Sequence, residues 1–476
     1  MKARMLNLGG ALGQKAFTSI GATCYVLIIE VSGREYVFLI DLGMETSDDD
    51  VASWQTPLAL SYLKTFGKKI DFILITHAHR DHLAALPVLE TIAYRDSLKP
   101  EARVIATRPT AAFAPYVLFD QWTISNRKKE ERPYQNSHIR KMLARFTDPV
   151  TRPGMIELVP GTIWVDVERA GHIRGACSFT FHVREGKKLV KLYFSGDNCT
   201  HNQVSTLGAP LPPEDRRPDI ICSFDCTNGS EHLARTWEQE IERMADDGYT
   251  AIKNGEWFFT FAFAMDRCHT FAQALAQKGL PVFLDGPSVR ELGKVMLSAD
   301  GFWCEGDQPI NMSGIGSCDY VGYPFTQDEP SAIVAPSGMG NGPALEYLLQ
   351  LLPRPNAVVG GGGYQALGTN GYKVVNAKPG DRITLDTGQE PVEIEVQARC
   401  EHYRATAHSL RETALERMHK LVEKSCFRRE HGGPKIGLCH GPTKALDWFK
   451  TALNKVGYTN TFRADRLEDR DIMLVE

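Results

Sequence analysis

The stretch Asp71-Phe72-Ile73-Leu74-Ile75-Thr76-His77-Ala78-His79-Arg80-Asp81-His82 decides the reading of this chain. Its first half is a short apolar run of the kind that forms a buried strand. Its second half sets three histidines and an aspartate within six residues, directly at the end of that strand. Neutral imidazole and carboxylate are the donors that zinc and similar ions take at neutral pH. Alternate residues of an extended segment point the same way, so His77 and His79 can grip one ion together. A helix following Leu83 would swing Asp81 and His82 toward a second ion.

Length and composition limit what surrounds this stretch. With 476 residues, two domains or one domain with a large insertion are expected. Hydrophobic residues make up 43% and charged residues 24%, the balance of a soluble globular protein. No apolar run approaches the ~18 residues of a membrane span, and the N-terminus has no signal-peptide core. Eleven cysteines without a Cys-x-x-Cys pair read as reduced thiols, so a cytoplasmic location is expected. The net charge of −4 excludes a generally basic nucleic-acid binder. A polyanion partner must be held by a local basic surface or by metal ions.

Three further sites each close an apolar strand. Asp41 ends Leu-Ile-Asp41-Leu-Gly, His172 sits in Ala-Gly-His172-Ile-Arg-Gly-Ala-Cys, and Asp197 sits in Tyr-Phe-Ser-Gly-Asp197-Asn. In this order, with His-x-His-x-Asp-His after Asp41, they resemble the motif series of the metallo-β-lactamase fold. From about residue 207 the pattern changes to alternating strands and helices, which predicts a mostly parallel sheet covered by helices. After about Pro391 a sandwich-like pattern returns. The reading is therefore an α/β fold: an αβ/βα sandwich (1–206 and 391–476) interrupted by an inserted α/β domain (207–390).

An insertion at this point resembles the β-CASP branch of that superfamily, the cleavage-factor and ribonuclease J type nucleases. Asp225 in Ser-Phe-Asp225-Cys-Thr-Asn-Gly, His408 in Ala-Thr-Ala-His408-Ser-Leu and His440 in Leu-Cys-His440-Gly-Pro match its three defining motifs. Arg267 closes a Thr-Phe-Ala-Phe-Ala-Met-Asp-Arg segment, and Ser337-Gly338-Met-Gly-Asn-Gly-Pro resembles the family's Gly-rich loop. Four positions depart from the pattern: Asp266 stands where glycine is usual before Arg267, Cys226 follows motif A, Ser409 follows His408 without a nearby aspartate, and Pro442 takes a usual acidic position.

The resemblance implies a metal-dependent nuclease that hydrolyses RNA phosphodiester bonds, cutting internally, from the 5′ end, or both. His77, His79 and His172 are expected to hold one divalent ion, and Asp81, His82 and His440 the other. Asp197 is expected to bridge them and Asp41 to orient a ligand histidine from behind. Zinc is the expected ion, with manganese as the alternative. Two such ions about 3.5–4 Å apart activate a hydroxide and clamp a phosphodiester. His408 is the expected general acid, held by Asp225; Asp81, Asp225 and His408 are the expected catalytic residues. Arg267, Ser337 and Gly338 are expected to receive flanking phosphates. His440 goes with RNA-cutting rather than DNA-cutting members, so single-stranded RNA is the expected substrate and partner. Arg127, Lys128, Lys129, Arg132, Arg140, Lys141 and Arg145 read equally as a phosphate track or a solvated helix face. A homodimer is an option that the sequence leaves open. The competing readings are a DNA nuclease of the same fold and a non-catalytic scaffold subunit of an RNA-processing complex. The scaffold conflicts with a complete ligand set.

Overall fold

The computed structural model describes residues 1–7, 22–44, 58–127, 133–230, 232–305, 307–318, 329–427 and 432–464. Two sheets face each other in the sandwich. The first contains β1 (Lys2–Asn7), β2 (Tyr25–Val31), β3 (Arg34–Ile40), β4 (Ile70–Leu74) and β5 (Leu98–Ile105), in that spatial order. β1, β2 and β3 pair antiparallel, whereas β3, β4 and β5 are parallel. The second sheet begins with an antiparallel meander of β6 (Gly154–Val159), β7 (Ile163–Arg169), β8 (Cys177–Glu185) and β9 (Lys188–Phe194). It continues in parallel through β10 (Ile220–Asp225).

The inserted unit carries a six-stranded, all-parallel sheet. Its strands are β11 (Trp257–Phe261), β12 (Val282–Asp285), β13 (Ile315–Cys318), β14 (Ala332–Ala335) and β15 (Ala357–Gly362), followed after the small hairpin β16 (Arg382–Leu385) and β17 (Val392–Glu395) by β18 (Arg399–Tyr403). The spatial order is β13-β12-β14-β11-β15-β18. β19 (Ile436–Cys439) and β20 (Thr461–Arg463) then complete the second sandwich sheet beside β10.

Each layer follows from residue periodicity. The meander alternates apolar and polar faces, and its inward side chains meet the first sheet: Phe38, Leu27 and Ile29 pack against Phe179, Phe181 and Phe194. The Phe38 and Phe181 rings meet edge to face at 5.1 Å, a geometry that adds about 1 kcal/mol to area burial. β11, β14 and β15 are buried throughout and, Thr260 apart, carry no polar side chain, because helices cover both faces of a parallel sheet. The helix-side core of the first sheet is continuous with Met265, Leu292, Val295 and Met296 of the inserted unit, so the two units share apolar packing.

Strand pairing moves both limits expected for the insertion at 207 and 390. β10 lies beyond 207 yet belongs to the sandwich, and β18 lies beyond 390 yet closes the inserted sheet. An apolar run marks a strand but does not say which sheet accepts it. The helix expected after Leu83 also differs. The helical turn is Arg80–Leu83 itself, and the chain continues as a 3₁₀ segment, Leu86–Glu90, opened by Pro87. Proline removes the amide that a longer α-helix would need there.

Candidate metal centre

Every candidate metal-binding residue stands at the carboxyl end of a strand or in the turn that follows. Asp41 follows β3, His77 and His79 follow β4, Asp197 follows β9, Asp225 ends β10 and His440 follows β19. Parallel strands carry successive chain segments to the same edge, which brings together residues as distant as Asp81 and His440, 359 positions apart. Two of them hold the backbone in the left-handed region: Asp41 at φ 56° and His440 at φ 48°. That conformation costs about 1–2 kcal/mol for a residue with a Cβ, and here it turns each side chain back over the sheet edge.

The donors form two sets that meet at one carboxylate. In the first, His79 Nδ1 lies 3.1 Å from His77 Nε2 and 3.0 Å from His172 Nε2. Asp197 Oδ2 is 3.6 Å from His77 Nε2 and 3.5 Å from His172 Nε2. In the second, His440 Nε2 lies 3.3 Å from Asp81 Oδ2, and His82 Nε2 lies 3.7 Å from the same oxygen. Asp197 Oδ1 is 3.3 Å from His82 Nε2 and 3.4 Å from His440 Nε2. Metal bonds of about 2.0–2.1 Å in a tetrahedron place neighbouring donors ~3.3 Å apart. Both sets fit that spacing. His82 Nε2 is moreover buried with no hydrogen-bond partner among the described residues, aimed into the second set.

The other ring nitrogens are occupied from behind. Asp41 accepts the Thr76 amide at 2.8 Å, the Thr76 hydroxyl at 2.7 Å and His82 Nδ1 at 2.7 Å. His172 Nδ1 donates to the Ala407 carbonyl at 2.9 Å. Thr227 Oγ1 lies 2.6 Å from Asp225 Oδ1 and 2.9 Å from His440 Nδ1, bridging the two. Partners of this kind fix the ring orientation and leave the forward nitrogen as a lone-pair donor.

His408 lies over the first set, its ring centroid 4.4 Å from that of His172. Its Nδ1 is 2.7 Å from Asp225 Oδ2, and its side chain is 17% exposed where Asp225 is 2%. Asn228 Nδ2 holds the His408 carbonyl at 3.1 Å, and the Asn198 amide donates to Asp225 Oδ2 at 2.9 Å. Sequence reasoning assigned no role to Thr76, Thr227, Asn198 or Asn228. The only signal for them was adjacency to a motif residue.

Burial and charge set the protonation of the cluster. Burial pushes the His77 and His172 imidazoles well below their usual range, and His79 down to about 4 against the pull of Asp81 and Asp197. Burial acts the same way on His82, but Asp197, Asp81 and Asp41 outweigh it and raise that ring to about 10. His440 is likewise raised, by Asp197 and Asp225. Burial pushes the Asp81, Asp197 and Asp225 carboxyls up, yet the surrounding imidazoles hold all three below the ordinary carboxylate range.

The expected phosphate contacts come out differently. Arg267 is 8% exposed, and its guanidinium donates to the Ala405 carbonyl, which makes it an internal tether rather than a surface anion site. The Ser337 amide is spent on the Asn341 carbonyl and the Gly340 amide on the Ser337 carbonyl. Gly338 is buried, and a Cβ there would sit 2.9 Å from the Phe263 ring, so packing accounts for the glycine. Of the basic stretch, Arg140 and Lys141 are exposed, and Arg145 pairs with Glu90 at 2.5 Å. The side chains of Arg127, Lys128, Lys129 and Arg132 lie outside the described residues. No described helix is long and apolar enough to cross a membrane.

Comparison with known proteins bears on the fold and the family. Residues 20–184 match the model of the metallo-beta-lactamase superfamily. Transcription termination factor FttA of Methanocaldococcus jannaschii is 27% identical over 393 residues, covering 78% of this chain and 57% of that protein. Endoribonuclease ysh1 of Schizosaccharomyces pombe is 24% identical over 425 residues, covering 82% of this chain and 50% of its own. RNase aCSPSF2 of Saccharolobus solfataricus is 24% identical over 419 residues, covering 85% and 76%. The chain thus spans 57% of the length of the first of these and 50% of the second. A solved Enterococcus faecalis protein of unknown function shares the fold at TM-score 0.53 and 12% identity, over 93% of this chain and 96% of its own. Residues 20–184 thus carry a metallo-β-lactamase superfamily domain, and the sandwich, the inserted parallel sheet and these relatives fit the β-CASP branch that the motifs resemble.

Proposed function

We propose that this chain is a metal-dependent ribonuclease that hydrolyses phosphodiester bonds of single-stranded RNA. One observation carries the reading: the two oxygens of Asp197 face two separate donor sets, each with tetrahedral spacing. His77, His79 and His172 would hold one divalent cation and Asp81, His82 and His440 the other. Zinc suits these donors best, and manganese is the second choice. Two cations so held supply Lewis-acid charge at the scissile phosphate and lower the pKa of an attacking water.

The chain's own groups do the rest. Asp41 keeps His82 in the tautomer whose Nε2 faces forward. Asp225, bonded to His408 Nδ1, orients the ring so that its other nitrogen can deliver a proton to the departing oxygen. Asp81 would contribute by holding the second cation with His82 and His440. The relatives support RNA over DNA, because ysh1 and aCSPSF2 are named as ribonucleases.

The test is cleavage of 5′-labelled and 3′-labelled single-stranded RNA, with matched DNA, in Zn2+ or Mn2+. Internal fragments indicate endonuclease action, and stepwise loss from the 5′ end indicates exonuclease action. Equal cleavage of DNA, or no cleavage of either polymer with both metals verified as bound, rejects the proposal.

A further inference from the structure

The departure at Asp266 has a structural partner. Asp266 stands at the N-terminus of the helix Arg267–Gln277 with φ 64°, a conformation in which glycine is at ease and a Cβ is strained. An aspartate at a helix N-cap ordinarily accepts an amide of its own first turn. Asp266 makes no such cap. Its Oδ2 instead accepts the backbone amide of Arg174 at 2.8 Å, and its other oxygen has no hydrogen-bond partner among the described residues. Arg174 lies two residues after His172, and it is fully buried. Its guanidinium reaches the carbonyls of Met296 and Gln308 in the inserted unit, and it sits 5.0 Å over the Phe302 ring.

The next residue makes the complementary contact. Arg267 holds the Ala405 carbonyl, in the segment that carries His408, and the Ala407 carbonyl of that segment orients His172 Nδ1. Two consecutive residues of the inserted unit therefore reach the two segments that meet at the first donor set.

We infer that Asp266 is a positioning residue, which orients His172 for the first metal by anchoring the amide of Arg174 to the inserted domain. The strained backbone at Asp266 persists because the carboxylate is needed where only that conformation delivers it. This inference rests on His172 being a metal ligand.

Zn2+ titrated into the metal-free full chain against a chromophoric chelator tests it, with Asp266→Gly and Asp266→Asn. Glycine suits φ 64° but removes the acceptor, whereas asparagine tolerates the conformation and keeps a side-chain oxygen. The expected result for Asp266→Gly is about tenfold weaker binding of one of two Zn2+ ions, the scale of an outer partner of a ligand. The thermal midpoint of the metal-free variant stays at or above that of the parent. Asp266→Asn restores the affinity. Parental affinity for both ions in Asp266→Gly, equal impairment in both variants, or a lowered midpoint in Asp266→Gly overturns the inference. A parent chain that takes up no Zn2+ overturns the metal reading and this inference with it, a result distinct from the other three.

Discussion

The two donor sets on either side of Asp197 use the same residue types and differ in where their protons rest. His77, His79 and His172 are held neutral by burial and by one another. His82 and His440 face two or three carboxylates each and are held cationic in the absence of metal. The first set is thus a preformed array of neutral ligands, and the second must release protons before it can bind. Carboxylate count makes the difference: Asp81 stands in the second set where the first has a third histidine, Asp41 backs His82, and Asp225 touches His440 from behind.

The largest effect should come from the residue that the two sets share. Asp197→Ala is expected to remove both metals and drop RNA cleavage to background, read by elemental analysis of the purified chain. Retention of one equivalent would break the symmetry of the comparison and assign Asp197 to one side alone. His408→Ala belongs to neither set. It should slow cleavage by about 10²–10⁴-fold at unchanged metal content, the range of a lost proton donor. Metal loss in that variant would make His408 a ligand instead.

Asp41→Ala should weaken the second set only, by about 10–100-fold in metal affinity, because His82 loses the partner that fixes its tautomer. Equal weakening of both ions would contradict the division. The most diagnostic effect is that of pH. The second set's affinity should rise about tenfold per pH unit for each proton released, below pH 10, while the first set stays flat above about pH 5. In the metal-free chain the sign reverses. The raised value at His82 is stability present in full below about pH 6.5 and lost as pH climbs through 10. Metal-free thermal midpoints that rise between pH 7 and 10 would refute this.

The legible part of the site was the part built from local pattern. Asp41, His77, His79, Asp81, His82, His172, Asp197, Asp225 and His440 all sit at or just beyond an apolar run that is in fact a strand, and strand ends are readable. His408 follows β18, whose Arg-Cys-Glu-His-Tyr is not an apolar run, and only the motif resemblance of Ala-Thr-Ala-His408-Ser-Leu pointed to it. Thr227, Asn228 and Asn198 were not legible, since a hydroxyl or amide beside a motif looks like any turn residue until its partner is known. Arg267 was named a phosphate contact from the resemblance of its segment alone, which carries no information about burial. Its burial against the Ala405 carbonyl depends on β18 lying beside β15.

By itself the sequence determined the fold class, the order of the strands along the chain and the chemical identity of the donors. These are properties of short windows, set by apolar periodicity and ligand type. Only the tertiary structure decided which sheet takes β10 and β18, which histidines are neutral and which cationic, and why an aspartate occupies a glycine's conformation at 266. Each of those depends on fields and contacts summed over segments distant in sequence, such as His440 against Asp81 and Asp266 against Arg174. Electrostatic energy follows distance in space, and a linear chain does not carry that distance until it has folded.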